Sequence, residues 1–113
     1  MHEIGLLQEM LAEALARAAQ QGAQRIERIV MRVGAESGIA PEALSFAFDL
    51  LKRDTPAAEA TIEFEHVPVV CWCSACDREF TPTDILHICP QCRLPDAAVH
   101  RGQEFALVAL EVS

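Results

Sequence analysis

The sequence predicts an α/β fold: two helices packed on a small, roughly three-stranded sheet, with a cysteine-bound module inserted between two of the strands. Three observations predict it. Two stretches repeat their apolar residues at helical spacing, three others read as strands, and two Cys-x-x-Cys pairs lie twelve residues apart between Cys73 and Cys92. A chain of 113 residues has room for a small domain plus a module too poor in apolar residues to build its own core.

The first helix is expected from Ile4 to about Gln21. Ile4, Leu7, Leu11, Leu15 and Ala18 fall on one helical face, Leu6 and Met10 widen that stripe, and Gly22 stands where a helix stops. From Arg25 to Val33 the period shortens, with Ile29, Met31 and Val33 opposite Arg28 and Arg32, as in a half-buried strand ended by Gly34. Pro41 suits the first position of a second helix, where its missing N–H would have had no partner. Leu44, Ala47, Phe48 and Leu51 form the buried face of that helix, and Asp54-Thr55-Pro56 stops it. Thr61 to Val67 alternates again, with Ile62 and Phe64 opposite Thr61, Glu63 and Glu65. Phe105 to Val112 is an almost continuous apolar run, the pattern of a strand covered on both faces. These elements make one unit of residues 1–68 and 102–113, and residues 69–101 form the inserted module.

Within the module, Cys73-Ser74-Ala75-Cys76 and Cys89-Pro90-Gln91-Cys92 can each close a tight turn with converging sulfurs. Four thiolates give the closed tetrahedral shell of a structural zinc site, so Cys73, Cys76, Cys89 and Cys92 are the expected ligands of a zinc-ribbon-like module. Iron of the rubredoxin kind is the alternative, because tetrahedral sulfur suits either metal. Two disulfides or a redox pair fit less well. A single redox pair needs no duplicate, and the chain start lacks the basic and apolar regions of an export signal, which points to the cytoplasm. Cys71 shares a strand face with Cys73 and is expected to be a non-liganding thiol, exchange as a ligand under oxidation or metal stress being the alternative. His66, His87 and His100 read as surface residues rather than ligands, the alternative for His66 and His100, which flank the module, being a response to nickel loading.

Composition narrows the partners. Six basic residues stand against eleven acidic ones up to His66, and three against six beyond it, for a net charge of −8. Nucleic-acid binding draws most of its free energy from Lys and Arg neutralising phosphates, so a nucleic-acid partner is not expected. No apolar run approaches the roughly 18 to 20 residues that span a bilayer, and no membrane association is expected.

A second chemical feature is Met1-His2-Glu3. A His in second position offers three nitrogens in one plane: the terminal amine, its own backbone amide once deprotonated, and a ring nitrogen. Such donation suits Ni(II) or Cu(II) and suits zinc poorly. Glu3 can add a fourth donor, and the bulk of His2 disfavours removal of Met1.

Together these residues carry a resemblance to a known family. Met1-His2-Glu3 before an amphipathic helix, Arg32-Val33-Gly34 at a strand end, Phe46-Ala47-Phe48-Asp49 in the second helix, Cys71-Trp72-Cys73-x-x-Cys76, Cys89-Pro90-x-Cys92 and the final strand resemble the HypA/HybF family of nickel metallochaperones. The resemblance covers essentially the whole chain. It implies a nickel-binding domain with His2 and Glu3 in the nickel motif, and a zinc domain held by Cys73, Cys76, Cys89 and Cys92. It also implies delivery of Ni(II), with a HypB-type GTPase, to the large subunit of nickel–iron hydrogenase, and in some relatives service to urease maturation. Some relatives carry an acidic residue before the second helix, where Ala40-Pro41 supplies none.

The expected function is therefore a non-enzymatic nickel carrier with structural zinc. The alternative is a zinc-ribbon adaptor that binds a protein or nucleic-acid partner and ignores nickel. An enzyme built on an open zinc is disfavoured, because four cysteines leave no position for water.

Overall fold

The computed structural model describes residues 2–113, and of His2 only the backbone. Helix α1 runs from His2 to Gln20. Leu7, Met10, Leu11, Ala14 and Ala18 are its buried stripe, while Ile4, Leu6 and Leu15 pack at the margin. Gly22 adopts a left-handed φ of 70°. That turn lets the Ala23 N–H reach back 3.0 Å to the Ala18 carbonyl and close the helix end. Helix α2, Pro41–Leu51, begins on the expected proline and buries Leu44, Ala47 and Phe48. Its last turn is closed by the Lys52 N–H on the Phe48 carbonyl at 2.9 Å, followed by a left-handed Asp54.

Strand β1, Ile26–Gly34, is the centre of the first sheet. It pairs in parallel with β2, Thr61–Val67, across the α2 crossover, and antiparallel with the last strand of the chain, Phe105–Val112. The register lines up apolar residues beneath the helices. Ile29 sits between Ile62 and Leu110, and Met31 between Phe64 and Leu107. Phe48 lies in the core formed by both helices and this sheet and is 1% exposed. Phe48→Ala is expected to cost about 3–5 kcal/mol, measured by denaturant unfolding, because the vacated volume cannot collapse. The opposite face of the sheet is charged, with Arg28 bonded to Glu63 and Glu111, and Arg32 to Glu65.

The last strand departs from expectation. Phe105, Leu107 and Leu110 are only half-buried, and Ala106, Ala109 and Glu111 are exposed, so it is an edge strand with one covered face. Its apolar run is unbroken for another reason. The exposed positions Ala106 and Ala109 are themselves apolar, and a bulge at Val108, opposite Val30 and Met31, inserts one more apolar residue between the inner Leu107 and Leu110.

Between β2 and that strand the chain makes a second antiparallel sheet from β3, Val70–Cys73, β4, Arg78–Phe80, and β5, Ala98–Arg101, in the order β4-β3-β5. The last strand is thus β6. Cys71, Cys73, Phe80 and Cys89 form a second buried cluster, separate from the helical core. Where the chain leaves and re-enters the first sheet, Gly34 packs against Gly102. A Cβ on Gly34 would lie 2.2 Å from the Gly102 carbonyl. The Ala35 and Glu36 N–H groups then bond Val67 and Gly102 at 2.8 and 2.6 Å, clamping both crossings.

Candidate metal centre

Strand β3 brings Cys73 to the mouth of a turn whose far side is Cys76, and the pairing of Cys73 with Arg78 returns the chain as β4. In the second pair, the Arg93 N–H bonds the Cys89 carbonyl at 2.8 Å and the Cys89 N–H bonds the Leu94 carbonyl at 3.0 Å. The residue after the second cysteine of each pair, Asp77 or Arg93, is left-handed, with φ of 53° and 66°. That reversal turns the backbone around the sulfurs. Arg78 ties the two turns together, donating to the Gln91 side chain at 2.7 Å.

The four sulfurs expected from the spacing are brought together. Cys73, Cys76, Cys89 and Cys92 present Sγ atoms all within 4.8 Å of one another. Cys73 and Cys92 approach to 3.5 Å and Cys89 and Cys76 to 3.9 Å, and none of the five cysteines is in a disulfide. A tetrahedron with metal–sulfur bonds near 2.3 Å has edges of about 3.8 Å, so the cluster has the dimensions of a closed four-thiolate shell.

Electrostatics point the same way. The amides of Cys92 and Gln91 donate to Cys89 and lower its thiol to about 6, against the effect of burial. Cys76 is pushed up to about 12, first by burial and then by hydrogen bonding among the neighbouring sulfurs. Crowded sulfurs resist joint ionisation until a dication sits among them.

Cys71 lies outside this group and is fully buried. Burial, and then the charge of Glu36, push its thiol up and keep it protonated. His66 is exposed on β2. His100 stacks on Trp72, with ring centroids 5.4 Å apart, and sets Nδ1 3.6 Å from Glu79. His87 corrects the expectation of a plain surface residue. It is half-buried, and its Nε2 lies 2.7 Å from a carboxylate oxygen of Glu36, in the loop after β1. The contact joins the second cysteine loop to the helical unit across 51 positions of sequence. Nothing local could have signalled it. Glu36→Ala is expected to cost roughly 0.5–1.5 kcal/mol in unfolding while zinc content stays unchanged.

At the other end, Glu3 is half-buried in the first turn of α1. The Met1 amine and the His2 ring, the remaining expected nickel donors, lie outside the described residues.

Residues 1–112 match the model of a protein family described as hydrogenase/urease nickel incorporation, metallochaperone, hypA. The chain belongs to the HypA family. HypA relatives match over nearly their full length. The hydrogenase maturation factor HypA of Picosynechococcus is 45% identical over 112 residues, covering 99% of both chains. That of Chloroflexus aggregans is 38% identical, covering 98% of both. Two solved structures share the fold. The Ni metallochaperone HypA from Helicobacter pylori aligns with a TM-score of 0.72 at 22% identity over 97% of this chain and 96% of its own. A second HypA solution structure gives 0.78 at 23%, covering all of this chain and 97% of its own. Membership in the HypA family makes the chain a nickel metallochaperone of hydrogenase maturation, a non-catalytic role, as the residue pattern led us to expect. No helix among the described residues is long and apolar enough to cross a membrane.

Proposed function

We propose that the chain binds Ni(II) at its N-terminus, holds a structural Zn(II) at Cys73, Cys76, Cys89 and Cys92, and surrenders the nickel to the large subunit of nickel–iron hydrogenase with a HypB-type GTPase. Service to urease maturation fits the same chemistry, and the cytoplasm is the expected setting. The observation that carries the nickel assignment is the start of α1 at His2, directly ahead of Glu3. The first N–H groups of a helix have no intrahelical acceptor. Nickel can therefore take the His2 amide without breaking a helix bond, and the amine and ring nitrogen of residues 1 and 2 complete three corners of a square. Glu3, one residue on, is the fourth donor or an adjacent acid. A site at a chain end releases its cargo more readily than a closed cage.

Zinc, when bound, supplies no chemistry beyond cross-linking, because four sulfurs close its shell. The module gains its order from that ion, and the two separate buried clusters support two units, residues 1–68 with 102–113 and residues 69–101. The acidic balance leaves nucleic acid without an electrostatic footing. The test is a Ni(II) titration comparing the native N-terminus with a chain carrying one extra residue before Met1. The added residue moves the amine out of the chelate and should remove nickel binding while zinc stays. Equal nickel binding by both chains would overturn the terminal assignment.

A further inference from the structure

The cysteine module carries a small cavity beside the metal centre. It holds about 260 Å³, and Trp72, Cys73, Leu94, Pro95, Asp96 and Ala97 are in its lining. That is less than the roughly 300–1,000 Å³ of small-molecule sites and suits a single side chain. Its walls differ in kind. His100 stacks on one face of Trp72, with ring centroids 5.4 Å apart, and is not in the lining, so the cavity meets the indole away from that face. Leu94, Pro95 and Ala97 make an apolar wall. Asp96 is the only charged residue of the lining, is exposed, and takes part in none of the ion pairs among the described residues. Its backbone is held at a left-handed φ of 60°, with its N–H on the Leu86 carbonyl at 2.9 Å. Arg93, the nearest basic residue in sequence, does not reach the cavity wall.

The chemistry of these walls selects the occupant. An apolar side chain would strip water from the Asp96 carboxylate and give nothing in return. A cation gives the carboxylate a partner, and an aromatic ring attracts a cation as well. Cys73 adds to the negative field, because four thiolates around a dication keep a net negative charge. That last contribution rests on the proposed zinc, whereas the Trp72 and Asp96 walls do not. Arginine suits the cavity better than lysine: its planar, weakly hydrated fork meets ring and carboxylate together while its methylene stem lies along the apolar wall. We propose that the cavity is a docking site for the arginine side chain of a protein partner. One such contact is weak, so it orients a partner already drawn by the net charge of −8 rather than holding it alone.

Trp72 is the only tryptophan and the chain has no tyrosine, so its fluorescence and its indole N–H resonance report on this cavity. The probe is a short acetylated and amidated peptide with one arginine between alanines, titrated at low salt into the zinc-loaded chain. It should bind with a dissociation constant on the order of 10 mM, and the same peptide with lysine several-fold more weakly. A citrulline peptide, which keeps the shape without the charge, should leave the indole signal unmoved. Asp96→Asn keeps a residue that tolerates the left-handed backbone and should weaken binding of the arginine peptide about fivefold. Zinc content, measured on the same samples, separates loss of the metal centre from loss of the cavity. An indole signal unmoved by the arginine peptide at about 50 mM overturns the proposal. So does equal binding of the citrulline peptide, or full affinity in zinc-loaded Asp96→Asn. Free arginine binding more tightly than the peptide would make the ligand a small molecule and overturn the docking of a protein.

Discussion

Cys89→Ser is expected to remove the zinc and unfold residues 69–101, while the two helices and their sheet stay folded. The buried cluster of the module consists of Cys71, Cys73, Phe80 and Cys89, so two of its four members are proposed zinc ligands. Apart from Phe80 and Cys71 there is little to bury once the ion is gone. Structural zinc is worth about 10–16 kcal/mol of apparent binding free energy, as much as a whole domain's stability, so its loss leaves the module with no folded state to occupy. Zinc analysis, with amide exchange resolved by region, measures both halves of this. A module that keeps its exchange protection without metal would contradict it. Acid should act in the same direction. In the metal-free cluster backbone N–H groups lower the Cys89 thiol while burial and neighbouring sulfurs raise that of Cys76, so zinc must displace protons to bind; acid, which returns them, should release zinc, and alkali should retain it.

The parts of the fold legible in the sequence were those governed by local rules. The stripe from Leu7 to Ala18, the proline opening α2 and the alternation around Ile29 each depend on residues a few positions apart. The cysteine spacing was legible because ligand geometry constrains short segments. The errors have a common physical source in contacts between distant strands. The run from Phe105 to Val112 read as doubly covered because its exposed positions Ala106 and Ala109 are apolar and a bulge, produced by pairing with β1, adds Val108 among them. Gly34 was legible as a strand end, but its contact with Gly102 depends on where the chain re-enters from the second sheet. His87 and Glu36 meet only once both units are folded, and neither carries a motif. The left-handed Asp77 and Arg93 had no glycine to announce them.

His2→Ala is the second change with a large expected effect. It removes the only ring nitrogen of the proposed terminal chelate and would leave the amine and amide without the third donor that makes amide ionisation favourable. Nickel affinity should fall by more than about a hundredfold, roughly 2.7 kcal/mol. Glu3→Gln should cost less, because a carboxylate is the least essential donor to a Ni(II) centre that already has three nitrogens. Neither change touches the four cysteines, which lie far along the chain on separate elements. Stability should also hold, since the first turn of α1 contributes little to the core before Leu7.

The most direct test of the account is a Ni(II) titration of the native chain and of His2→Ala, followed by absorption in the range of planar nickel–nitrogen bands, with zinc measured on the same samples. The account predicts one nickel per native chain, none at comparable concentrations for His2→Ala, and one zinc in both. Nickel bound by His2→Ala with undiminished affinity would contradict it.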